Sequence, residues 1–145
     1  MGGFLTFLEK FLVIGFNILV VIGIILIFLY FRLDRMSMNA EMKWKAVNNL
    51  LRETVREAIE KGAIAPEYQE TAKAFLKCRK ISEQVKRACD LEGTVIARGA
   101  DPELTRRCCV YNETAREFNE KCKKDLWRTI AWIFRMKECK TVCTF

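Results

Sequence analysis

Histidine is absent from this 145-residue chain. Its absence removes the commonest general base and the commonest metal-binding side chain. No Cys-x-x-Cys pair is present either, so the usual structural zinc frameworks are excluded. There is no Gly-rich phosphate loop, no nucleophile elbow and no zinc-protease motif. Internal repeats, low-complexity tracts and nucleic-acid-binding motifs are missing as well. Cys108-Cys109 has no identifiable partner that would make it a nucleophile. Glu113, Glu117 and Glu120 sit at helical spacing beside Arg116, Lys121 and Lys124, an ordinary solvated ion-pair face. The sequence therefore points away from an enzyme. It assigns no catalytic, cofactor-binding or metal-ligating residue, and implies no cofactor and no small-molecule substrate.

Charge is the other local absence. Residues 11–31, FLVIGFNILVVIGIILIFLYF, carry none, and Asn17 is their one strongly polar residue. As a helix rising 1.5 Å per residue the run covers roughly 30 Å, the thickness of a bilayer's hydrocarbon core. A buried core helix does not fit, because the rest of the chain is too small and too polar to wrap a helix that is apolar on every face. A cleaved signal peptide does not fit either, since the run is too long and ends in Tyr30, Phe31 and Arg32 with no Ala-x-Ala-like site. Lys10 precedes the run, whereas Arg32, Arg35, Lys43 and Lys45 follow it. The positive-inside rule then places residues 1–10 outside the cell and the C-terminal part in the cytoplasm. Gly15 and Gly23 lie on about the same face with Asn17 nearby, a possible pairing surface for the span.

The formal charge of +7 falls almost wholly on the part after Phe31. A basic domain beside an anionic leaflet is attracted by about 1 kcal/mol per basic residue close to the surface. Lipid headgroups are thus the expected neighbours, ahead of nucleic acid. The seven cysteines are odd in number, so at least one lies outside any intramolecular disulfide. Cys78, Cys89, Cys108 and Cys122 fall on apolar stripes and read as small hydrophobes, in keeping with a reducing cytoplasm. Cys109, Cys139 and Cys143 do not, and their role is left open.

After the span, Arg32–Met38 reads as a juxtamembrane connector through which the anchor could run on, and residues 39–145 as the cytoplasmic domain. Trp44, Val47, Leu51, Val55 and Ala58 make one stripe of a helix over 39–61, stopped by Gly62 and Pro66. A second helix is predicted from Pro66 to about Gly93, with Tyr68, Ala72, Phe75, Cys78, Ser82, Val85 and Cys89 inward and a basic outer surface. Thr94–Ala100 reads as irregular or extended. Asp101-Pro102-Glu103 is a helix start, followed by the stripe Leu104, Cys108, Tyr111, Ala115, Phe118, Cys122. Its heptad-like spacing favours shallow-angle packing of long antiparallel helices. With no proline or glycine in LWRTIAWIFRM, that last helix is predicted to continue to about Glu138, the other course for Trp127–Phe134 being a turn onto the membrane. The fold class is all-α: one membrane helix, then an antiparallel bundle of about three long helices.

One polar pattern stands out. Tyr111-Asn112 and Phe118-Asn119 repeat an aromatic-Asn pair one heptad apart. Asparagine is a mediocre helix former, so two at this spacing suggest amides at the edge of the core bonding to a neighbouring helix. The segment VYNETAREFN resembles the Tyr-Asn…Asn signature of the LemA family of bacterial membrane proteins. MKWKAVNNLLRETV, with Asn49-Leu50-Leu51, resembles the same family's first-helix pattern. The chain departs from the family in having Lys123-Lys124-Asp125-Leu126 where Phe-Pro is usual, in a shorter or replaced tail, and in Arg106 and Arg107 only approximating its arginine before Tyr-Asn. The resemblance implies a divergent member in the bacterial plasma membrane, with an outside N-terminus, one span, a cytoplasmic domain of long antiparallel helices and an undefined activity. The functional expectation is a scaffold or interaction module at the membrane, meeting a protein partner or a second copy. The alternative is a small membrane-active protein oligomerising through its span into a pore or holin-like assembly.

Overall fold

Nothing between Arg32 and Met38 stops a helix: the seven residues RLDRMSM include neither glycine nor proline, and Leu, Arg and Met are good helix formers. In the computed structural model, which describes residues 2–91 and 101–142, the apolar run and the first amphipathic stripe are accordingly one helix, α1 (Gly2–Glu60). The connector is helical throughout. At 59 residues α1 is about 90 Å long. Its most apolar window has a mean hydropathy of 3.1 and buries nothing against the rest of the chain. Among the described residues it is the one helix long and apolar enough to cross a membrane. Its other end is a core element, burying Leu33, Ala40, Trp44, Val47, Leu51 and Val55.

Gly62 ends α1 as its position suggests. Its φ of +63° lies in the left-handed region, where a Cβ is penalised. Its N–H donates to Ile59 O and that of Ala63 to Ala58 O, the paired bonds of a Schellman cap. α2 (Pro66–Lys77) follows with proline at its first position.

The long second helix expected over 66–93 is a correction. The chain leaves the helix at Cys78–Lys80 and restarts as α3 (Ile81–Leu91). The reason is tertiary. Arg52 on α1 donates to Leu76 O (2.9 Å) and Cys78 O (2.6 Å), and Gln84 Nε2 donates to Cys78 O (3.0 Å). These donors satisfy carbonyls that a continuing helix would have bonded itself. The break shifts the helical phase, so Ser82 is exposed while Gln84, Val85, Ala88 and Leu91 face inward. The end of the expected helix near Gly93 and the segment Thr94–Ala100 lie outside the described residues.

α4 (Pro102–Lys123) starts as its sequence signal indicates, with Asp101 Oδ1 accepting from Glu103 N–H at 2.9 Å. The expected run to Glu138 is a second correction. The helix breaks at Lys124 and resumes as α5 (Asp125–Ile133). Arg135, at φ +51°, closes α5, with its N–H on Trp132 O and that of Met136 on Ala131 O. From there the chain is non-helical to Val142. The described residues thus form five helices and no strand.

Two apolar clusters result. The larger joins Trp44, Val47, Leu51 and Val55 of α1 to Phe75 of α2, to Val85, Ala88 and Leu91 of α3, and to Leu104, Cys108, Tyr111 and Ala115 of α4. The smaller is centred on Leu33, Phe118, Ile130 and Ala131, and takes in Leu26, Leu29 and Tyr30 from the final turns of the apolar run.

Candidate functional site

The aromatic-Asn repeat lies on the face of α4 that meets the C-terminal segment. Asn112 holds the backbone of Val142 from both sides: its Nδ2 donates to Val142 O, and its Oδ1 accepts from Val142 N–H at 2.7 Å. Asn119 does the same to Cys139, at 2.7 Å and 2.8 Å. Tyr111 Oη donates to Lys140 O between them. The asparagines are seven residues apart on a helix, a rise of about 10.5 Å. Their partners are three residues apart in the tail, which reaches at most about 10–11 Å. The tail is therefore drawn nearly straight along α4. The expectation that the amides bond to a neighbouring helix is corrected: their partners are backbone groups of a non-helical strap.

The rings behave as core. Phe118 is buried in the smaller cluster and Tyr111 in the larger, its ring 5.2 Å from that of Trp44. Burial pushes the Tyr111 phenol above its ordinary value, with the nearby thiols of Cys139 and Cys89 acting the same way, so it stays a donor. Cys139 is also pushed up, first by burial and then by Cys122, Glu41 and Glu138. Cys122 is raised by burial and Glu138. Thiols held protonated are poor nucleophiles. Cys109 is exposed on α4, and Cys143 lies outside the described residues.

Two further polar groups fasten α1 to its neighbours. Trp44 Nε1 donates to Gln84 Oε1 at 2.9 Å, completing the Arg52–Cys78–Gln84 set at the α2–α3 break. Arg107 reaches Ala46 O at 3.2 Å while bonding Glu103 at 2.7 Å. Hydrogen bonds from Arg106 first and Arg107 second hold the Glu103 carboxyl down at about 2 from its ordinary value of 4.5. Sequence reasoning missed Arg52 and Gln84, because an unbroken second helix turns Gln84 away from the core. The available signal was Trp44, whose indole N–H needs a partner once buried.

In the apolar run, Asn17 Nδ2 donates to Val13 O of its own helix at 2.9 Å. A Cβ added at Gly15 or Gly23 would meet nothing within 4 Å. The three span residues singled out from the sequence therefore present an open face, remote from Tyr111, Asn112, Phe118 and Asn119. Among the described residues no group of three or more Cys, Asp and Glu is placed to hold a metal ion.

The other assembled feature is the corner where α5 meets α1. Phe134 stacks on Tyr30, with ring centroids 4.4 Å apart. Trp127 lies 4.6 Å from Lys121 Nζ and 6.0 Å from the Arg32 guanidinium. Leu126, Trp132, Ile133 and Phe134 remain exposed there. No family model matches the chain, and no curated protein or solved structure compared with it matches either.

Proposed function

We propose that the chain is a LemA-like single-pass membrane protein of undefined biochemical activity whose helical domain serves as a scaffold or interaction module on the cytoplasmic face. The observation that carries this is the continuity of α1. One helix holds both the unburied apolar run and the buried stripe Trp44–Val55, so the domain is fixed to its anchor without a hinge. The packing of α4 on α1 supports the antiparallel bundle: Arg107 meets Ala46, Tyr111 meets Trp44, and Phe118 shares a cluster with Leu33. As residue numbers rise on α4, those of its partners fall on α1. The repeat Tyr111-Asn112 and Phe118-Asn119 supports a divergent LemA-like assignment, since all four residues have defined structural work. A protein partner or a second copy of the chain is the occupant such a module would hold.

The orientation is read from the basic residues that follow the span. Cys109, exposed on α4, reports on it. A thiol reagent that cannot cross membranes should leave it unlabelled in intact cells and label it after permeabilisation. Labelling from outside would sink the cytoplasmic placement. Release of the protein from membranes by alkaline carbonate would sink the anchor. The pore-forming alternative draws on Asn17, Gly15 and Gly23, and leakage of dye from vesicles carrying the full chain would favour it.

A further inference from the structure

We propose that α5 and the turn after it lie in the plane of the membrane interface, with Trp132, Ile133 and Phe134 in the acyl boundary of the leaflet where the span ends. This rests on the reading that α1 crosses the bilayer. The occupant of the exposed α5 surface is then the lipid of the same membrane.

Three observations converge on it. The first is level. The charge-free run ends at Arg32, which marks the headgroups, yet the α5 cluster packs on Leu26, Leu29 and Tyr30. Leu26 lies six residues before Arg32, about 9 Å further into the bilayer along the helix. An interfacial helix buries its apolar face about 5–10 Å. A cluster at that level cannot be surrounded by bulk water while the span is inserted.

The second is continuity. The Phe134 ring lies against Tyr30, so exposed apolar side chains at the end of α5 adjoin the apolar belt of the span. Trp132 is 79% exposed, Leu126 55%, Ile133 47% and Phe134 42%. Nothing else in the described chain covers them. Tryptophan and tyrosine with an apolar body and a polar tip are the residues that settle at this depth.

The third is charge. An open groove of about 720 Å³ joins Trp132, Ile133 and Met136 to Arg128, Arg135 and Lys137. Its one carboxylate, Glu138, is 3.7 Å from Lys123, which also lines the groove. Apolar side chains beside unbalanced cations suit the phosphate level of a phospholipid, with acyl chains on one side and headgroups on the other.

The test uses full-length protein in vesicles of mixed zwitterionic and anionic phospholipid, some brominated near the top of the acyl chain. Trp127→Phe leaves Trp132 as the exposed reporter beside the buried Trp44. A second protein carries Trp127→Phe, Trp132→Phe and Phe16→Trp, which reports on the span. The expected result is loss of Trp132 emission to bromolipid, protection from aqueous acrylamide, and persistence of both at high salt. If the Phe16→Trp reporter is quenched by bromolipid but Trp132 is quenched only by acrylamide, the interfacial helix is wrong and the anchor stands. Quenching of Trp132 that vanishes with salt overturns insertion in favour of electrostatic adhesion. If neither reporter meets bromolipid, the membrane-spanning reading falls with it.

Discussion

An asparagine amide that bonds both the N–H and the C=O of one residue recognises backbone, and Asn112 and Asn119 each do so. Removing either leaves a donor and an acceptor of the tail unpaired. Asn112→Ala and Asn119→Ala should each cost about 1–3 kcal/mol. Asn112→Asp should cost as much, since a carboxylate cannot donate to Val142 O. Phe118→Ala, a large truncation in a cluster with few members, should cost about 3–5 kcal/mol. Thermal melts of the full chain in detergent decide between this and a solvated role. A rise in melting temperature for both alanine variants, the helix-propensity result, would remove the repeat's structural meaning. The repeat itself was legible because asparagine is out of place mid-helix. Its partner was not, because Cys139 and Val142 meet the asparagines through their backbones alone, and backbone has no sequence signal.

At the scale of elements, what the sequence made plain were ends with special residues: Gly62 after α1, Pro66 at α2, and Asp101-Pro102 at α4. The breaks at Cys78–Lys80 and Lys124 have no such residue. Helical periodicity runs straight across both, and at Cys78–Lys80 the chain departs from it where side chains far away in sequence take the freed carbonyls. Arg52 is the plainest case, a charged donor serving Leu76 O and Cys78 O from 24 and 26 residues away. Arg52→Met keeps an apolar stem but removes both donors and the guanidinium that lies over the Phe75 ring. The loss should be about 1.5–3 kcal/mol per charged hydrogen bond, offset in part because the site is only partly buried. Hydrogen exchange should show the α2–α3 junction opening before α4. Equal protection of the two in the variant would mean that Arg52 does not hold the break.

On the scale of the whole molecule, the apolar run, the connector and the first amphipathic stripe lie on one helix, the continuation through the connector that the sequence left open. Composition changes sharply at Arg32, but helix geometry is indifferent to that change, and Leu33 on the domain side shares a cluster with Leu26 and Tyr30 on the other. A soluble fragment that begins at Met36 therefore loses the wall on which Phe118 and Ile130 rest. Full burial of Leu33 alone is worth about 1.5–3 kcal/mol. A fragment beginning at Leu26 should melt higher than one beginning at Met36, with the difference abolished by Phe118→Ala. Equal melting temperatures would show that the smaller cluster contributes nothing.

The hinge-free helix also has a mechanical consequence. On the proposed reading that α1 crosses a bilayer, the 28 residues from Arg32 to Glu60 are a lever arm of about 42 Å rigidly joined to the crossing part. Spans tilt to fit the thickness of the bilayer around them, by about 20° on average. Such a tilt swings the far end of the arm sideways by about 14 Å. A flexible tether would absorb that motion; a continuous rod transmits it. On that reading bilayer thickness is converted into the position of the domain's outermost loops, with α5 packed against the foot of the rod.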